Sequence, residues 1–334
     1  MVRLKPLSEQ VVVILGASSG IGRETALQCA ARGAKVVAAA RSEPGLISLA
    51  EEIRANGGQA AWVTCDASDF GQVVAVADAA IEAFGRIDTW VNVAAVGAYA
   101  KIEDISLDDF RRVMDVNLMG YVHGTKAALP HLRWQGGALI FVSSIESTVA
   151  MPLQGAYATS KHAIQGFVET LRRELRADGA PISVTSVKPA VINTPFYNNA
   201  RNALGFRPTV PPPAYHPAVV AECICHAAEH PVRDLYAGGS ARLMTLAQLY
   251  VPGMIDAVLE RIGFAAQHTD VPSGDDALYE PRLDDNRVEG EITRHAFRFS
   301  PYTWLQTHPK AKAVAALTGA ALVGGTLSRR KPDS

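Results

Sequence analysis

Tyr157 and Lys161 stand four residues apart in a stretch, Ala156–Arg176, that reads as an amphipathic helix stopping before Gly179. That spacing puts both side chains on one helix face. A phenol with an ordinary pKa of about 10 is a poor base at neutral pH, but a neighbouring ammonium favours the phenolate, so the pair could move a proton. Taken alone, it could equally be a tyrosine and a lysine on a solvated helix. Ser144 adds a hydroxyl at the end of the apolar run Ala138–Val142. The carboxyl ends of buried parallel strands are where such sheets present groups to ligands. A second chemistry is written in Gly16-Ala17-Ser18-Ser19-Gly20-Ile21-Gly22. Glycines there let a backbone turn tightly and approach phosphates, whose charge satisfies the first amides of a following helix. A glycine loop alone is weak, but here it lies between a strand and a helix, as the chemistry requires. Arg41 is the first polar side chain after the apolar run Lys35–Ala40, and no carboxylate stands at that tip. In a dinucleotide fold this position meets the adenosine ribose, where arginine accommodates a 2′-phosphate and an acid would select the 2′-hydroxyl. NADP(H) is therefore expected over NAD(H).

These residues need a scaffold, and the hydrophobic periods supply one. Short apolar runs at Val11–Leu15, Lys35–Ala40, Ala60–Cys65, Thr89–Val93, Ala138–Val142 and Ile182–Val187 read as strands buried on both faces. Between them lie the amphipathic stretches Ile21–Arg32, Leu46–Ala55, Val73–Phe84 and Leu107–Leu129, the last stopping at Pro130. Such alternation predicts an α/β fold, a doubly wound, Rossmann-like parallel sheet with helices on both faces. The region 1–240 reads as this catalytic domain, with Pro217–His230 a further helix and Leu235–Ala237 a last strand. Residues 241–334 read as a mostly helical extension: an apolar helix over Arg242–Ile262 broken near Pro252-Gly253, a polar, turn-rich stretch over 265–300, and a terminal apolar helix over Ala313–Leu327.

Over roughly residues 8–240 the chain resembles the short-chain dehydrogenase/reductase family. Its glycine loop has that family's G-x-x-x-G-x-G spacing, with Leu15 where the family usually has threonine. Ser144 and Tyr157 have the family's separation, and Tyr157 and Lys161 its Tyr-x-x-x-Lys. Asn117, in Asp115-Val116-Asn117-Leu118, matches the asparagine that completes its tetrad. Asn92-Val93-Ala94-Ala95 matches its Asn-Asn-Ala-Gly segment with Val93 and Ala95 as departures. Pro189-Ala190-Val191-Ile192-Asn193-Thr194 matches its Pro-Gly segment over the nicotinamide, with alanine for glycine. The resemblance implies hydride transfer between NADP(H) and a carbonyl or secondary alcohol, with Tyr157 as acid/base and Ser144 a second donor. It also implies that Lys161 tunes the tyrosine and bonds the nicotinamide ribose, while Asn117 holds a water. Cofactor contacts are expected from Gly16, Ser18, Ser19, Gly20, Ile21, Gly22, Arg41, Asp66, Asn92, Ala94, Tyr157, Lys161, Pro189, Ile192 and Thr194. Asp66 would meet adenine, although an aspartate there could also cap the next helix. The same fold and set could serve a non-catalytic NADP sensor or a scaffold recruited to a membrane; the presence of both Tyr157 and Lys161 favours the enzyme.

The loop Phe196–Pro217 would cover the substrate. Its Phe196, Tyr197, Phe206 and Tyr215, with Met151 and Leu153, predict a largely apolar pocket for a lipophilic small molecule. A formal net charge of −1 without a basic patch argues against nucleic acid. Cys29, Cys65, Cys223 and Cys225 form no disulfide framework, and Met1–Gln10 lacks the apolar run of a secretory signal, so a cytoplasmic setting is expected. Cys223, Cys225, His226 and His230 share a predicted helix, and the two histidines share a face of it, but Cys223 and Cys225 point in different directions, and no metal is expected. Ala313–Leu327, flanked by lysines and arginines, is short for a membrane span; it could anchor, line an interface or pack on the protein. By resemblance the protein is expected to form a homodimer or homotetramer.

Overall fold

The structure, a computed structural model, describes residues 2–209, 212–291, 296–308 and 311. Seven parallel strands form the main sheet among these residues: β1 (Val11–Leu15), β2 (Lys35–Ala40), β3 (Gln59–Thr64), β4 (Thr89–Asn92), β5 (Gly137–Val142), β6 (Ile182–Pro189) and β7 (Asp234–Ala237). Their order across the sheet is β7-β6-β5-β4-β1-β2-β3. The chain reverses its direction of winding at β1, which is flanked by β2 on one side and β4 on the other. A crevice therefore opens beyond the carboxyl ends of β1 and β4, where doubly wound sheets bind ligands.

Strand periodicity sorts the core into two layers. Val12 and Ile14 face one side with helices α1 (Gly20–Ala31), α2 (Glu43–Ala55) and α8 (Pro217–Glu229). Val11, Val13 and Leu15 face the other with α3 (Phe70–Phe84), α5 (Gly120–Gln135) and α6 (Gly155–Ala177). Leu15, the departure from threonine, is wholly buried in the second layer.

Two helix boundaries differ from the expected ones for local reasons. The stretch expected from Leu46 begins at Glu43, because Ser42 accepts the Gly45 amide as N-cap and Pro44 occupies the first turn. The expected single helix over Leu107–Leu129 is instead α4 (Leu107–Met114), a π turn over Asp115–Met119, and α5. Nor does Pro130 end α5. Ala128 and Leu132, on either side of it, are fully buried against the sheet, and this packing carries the helix on to Gln135.

Beyond β6 a short helix α7 (Phe196–Asn199) opens the loop expected to cover the substrate. The expected apolar helix over Arg242–Ile262 is two, α9 (Gly239–Tyr250) and α10 (Pro252–Ile262), divided where Pro252 begins the second. Residues 268–291 run in irregular conformation across the carboxyl edge of the sheet, and α11 (Pro301–Thr307) packs on β7 and α8. Among the described residues no helix is long and apolar enough to cross a membrane; Ala313–Leu327 lies outside them.

Candidate active site

The crevice at the sheet edge encloses a cavity of about 300 Å³. Its floor is the turn from β1 into α1. Gly16 has φ +104°, and a Cβ there would lie 2.5 Å from the Ala94 amide nitrogen; one on Gly22 would lie 2.0 Å from the Gly16 carbonyl. Only glycine fits either place, which lets the backbone of the turn form a cavity wall. Amides of Gly16 and Ala17 both donate to the Ala39 carbonyl, tying the turn to β2. Ser19 precedes α1 without capping it through its side chain, and the positive end of this helix faces the cavity. Glycine turn, a helix start without a side-chain cap and the adjacent arginine together suit a pyrophosphate-bearing dinucleotide, so the residues present fit such a cofactor.

Arg41 and Asp66 mark the far end of the cavity. Arg41 is already engaged: Nη1 donates to the Tyr279 carbonyl at 2.8 Å and Nη2 to the Ala277 carbonyl at 2.5 Å. Its Nε proton and one Nη2 proton remain beyond these bonds. Asp66 does not cap α3, a role taken by Asp69. Arg112 donates to Asp66 Oδ2 at 2.6 Å, and Ser68 donates to its Oδ1. Burial alone would raise the Asp66 carboxyl, but these hydrogen bonds and the Arg112 charge hold it below its ordinary value.

Ser144, Tyr157 and Lys161 converge at the other end of the same cavity. Lys161 Nζ donates to the Val142 carbonyl at 3.0 Å and lies 5.4 Å from the centre of the Tyr157 ring. Burial pushes the lysine down to about 7, against the pull of the Glu146 charge. Tyr157 is pushed well above its ordinary value, first by withdrawal from water and then by Glu146, while a hydrogen bond from Ser144 opposes the rise. Ser144 Oγ also accepts the Glu146 amide at 3.0 Å, which fixes the hydroxyl at the strand end.

Of the expected cofactor contacts, all but Asn92 line this cavity. Asn92 is fully buried on the α5 side of β4, where its Oδ1 accepts from Trp90 Nε1 at 3.1 Å. Strand alternation explains the correction: Asn92 shares the face of Trp90, which packs in the core rather than toward the crevice. Asn117 also lies behind the wall. Its two amide protons go to the Val96 carbonyl and Ser160 Oγ, each at 3.0 Å, and its Oδ1 accepts the Val96 amide. The side chain thus braces the π turn against α6 and the loop after β4, with neither amide proton left for a water.

Of the residues expected to form a substrate pocket, Phe196, Tyr197 and Met151 line the cavity. Phe206 and Tyr215 do not: Phe206 packs edge-on against His268, and Tyr215 against Phe297. Leu153 sits beneath the wall with Tyr99 and Ala200, in a left-handed backbone conformation of φ 68°. Polar groups that the sequence reading passed over share the cavity: Glu146, Gln154 and Gln267. Gln154 donates to Gln267 at 2.9 Å, and Glu146 is pushed by burial up to about 8. Glu146 carried one usable signal, a charged residue two positions after Ser144 at the end of an apolar strand. Gln267 carried none, because only folding brings it to Gln154.

Comparison with known proteins identifies the family. The family described as short chain dehydrogenase matches residues 10–205. A protein named uncharacterized oxidoreductase YxnA from Bacillus subtilis (strain 168) is 42% identical over 284 residues, covering 83% of this chain and 80% of its own. The 11-beta-hydroxysteroid dehydrogenase A of Sesamum indicum is 39% identical over 57% of this chain and 56% of its own. Among solved structures, an alcohol dehydrogenase from the archaeon Thermococcus sibiricus, complexed with 5-hydroxy-NADP, superposes with TM-score 0.60 and 26% identity, over 68% of this chain and 95% of that one. The chain belongs to the short-chain dehydrogenase family and is an oxidoreductase.

Proposed function

We propose that this oxidoreductase uses NADP(H) and interconverts a carbonyl and a secondary alcohol on a lipophilic small molecule, with Tyr157 as the proton donor in reduction. The observation that carries the reading is the convergence of Ser144, Tyr157 and Lys161 on one cavity with the glycine turn and Arg41. When bound, the nicotinamide supplies or accepts the hydride. The residues of this chain do the rest. Ser144 and Tyr157 present hydroxyls to an oxygen that gains negative charge as hydride arrives, and preset donors stabilise that charge without reorganisation. Because burial keeps Tyr157 protonated, it enters reduction as an acid. Lys161, poised near neutrality, recharges it through the shared pocket. Asn117 acts as a positioning residue through Ser160, on the helix that carries the tyrosine.

NADP(H) is favoured over NAD(H) by a guanidinium rather than a carboxylate after β2, and the ligand named for the archaeal structure is an NADP derivative. Phe196, Tyr197 and Met151 favour an apolar substrate body, as the hydroxysteroid named for the sesame relative would be, while Glu146 and Gln154 suit a polar group upon it. Replacing Tyr157 by Phe is expected to lower turnover of NADPH with a panel of lipophilic ketones and aldehydes by about 10²- to 10⁴-fold, with NADPH binding nearly unchanged. Turnover by the variant within a few fold of wild type would refute Tyr157 as the acid.

A further inference from the structure

The family match ends at residue 205, yet the cavity has a wall from far beyond it. Residues 277–290 follow the crevice from one end to the other. At the adenosine end the carbonyls of Ala277, Leu278 and Tyr279 accept from Arg41, and Leu278 also accepts from Arg112 Nε at 3.0 Å. Leu278 is fully buried, in a small cluster with Val96, Val113 and Val116, so the segment is pinned beside the π turn that carries Asn117. At the glycine turn the Gly20 amide donates to the Arg287 carbonyl at 3.0 Å, and Ser42 Oγ donates to Asn286 Oδ1 at 2.8 Å. At the nicotinamide end the Gly290 amide donates to the Asn193 carbonyl, and a Cβ on Gly290 would lie 2.4 Å from the Thr194 carbonyl.

We propose that residues 277–290 are a strap that completes the cofactor site, with Arg282 and Asn286 as further cofactor-binding residues, so that bound NADP(H) leaves only when the strap lifts. The inference rests on the nicotinamide reading above. Its chemistry is that of a phosphate pocket built from two sides. Backbone carbonyls of the strap hold the Arg41 guanidinium in one orientation, leaving Nε–H and one Nη2–H for an anion. Arg282 lines the same cavity and is steadied by Asp284 at 2.8 Å, and Asn286 has an amide proton beyond its bond to the Leu283 carbonyl. A dianionic 2′-phosphate gains from each such charge-assisted donor.

The test uses the full chain and NADPH itself. Dissociation of NADPH is followed by stopped-flow nicotinamide fluorescence on dilution into excess NADP, for wild type, Arg282→Ala with Asn286→Ala, and separately Leu278→Ser. Hydrogen exchange of 277–290 is measured with and without NADPH. The expected result is dissociation faster by roughly tenfold or more in the double variant, and in Leu278→Ser if it retains the wild-type circular dichroism spectrum, together with slower exchange of the strap amides when NADPH is bound. Unchanged dissociation in the double variant, with strap exchange indifferent to NADPH, overturns the strap while leaving the nicotinamide reading intact. Wild type that binds neither NADPH nor NADH overturns both.

Discussion

Three ionisable side chains share one buried space at the reacting end of the cavity, and each shifts the others. Once ionised, Glu146 raises Tyr157 and supports the charge of Lys161. It has a cost of its own, since its carboxyl titrates at about 8 in the fold against about 4.5 as an isolated group. Between those values the folded state keeps a proton that the unfolded chain has released, so stability falls as pH rises through that window and levels off above it. Glu146→Gln removes this dependence. Its urea midpoint is expected to gain on that of wild type from about pH 5 to about pH 8, and a pH-independent difference would contradict a buried, neutral carboxyl. Ser144, Tyr157 and Lys161 were legible in the sequence because fixed spacing on one strand end and one helix determines where they point. Asn92 was misplaced because a motif names a segment, whereas strand alternation decides which of its side chains reach the crevice.

At the scale of elements, the break between α4 and α5 was not legible. No glycine or proline marks Asp115–Met119, and the apolar pattern runs through it. What makes the π turn is tertiary: Asn117 spends its amide on Val96 and Ser160, holding together the loop after β4 and α6. Pro130 misled in the opposite sense, since buried neighbours outweigh a missing amide. Asn117→Ala leaves the Val96 amide and carbonyl without their partner. It is expected to cost about 2 kcal/mol of stability, read from the urea midpoint. It should also lower kcat more than it weakens NADPH. Loss of binding with kcat preserved would contradict a positioning role.

At the scale of the whole molecule, the seven-stranded sheet and its two helical layers were readable from alternating periods, because strands buried on both faces and amphipathic helices leave unambiguous patterns. The strap was not readable. Residues 277–290 have no period, and nothing local announces that their carbonyls meet an arginine more than two hundred positions earlier. The extension is consequently woven into the site: α11 receives the end of β7 through Thr303, and the strap overlies the glycine turn. On the proposed reading Arg41 joins two tasks, orienting the strap and facing a phosphate. Cofactor choice is the claim on which the roles of Arg41 and the strap depend. Titration of the purified full chain with NADPH and with NADH, followed by nicotinamide fluorescence, is predicted to give NADPH binding tighter by about tenfold or more, with the preference lost in Arg41→Asp. NADH binding as tightly as NADPH, or neither binding, would contradict it.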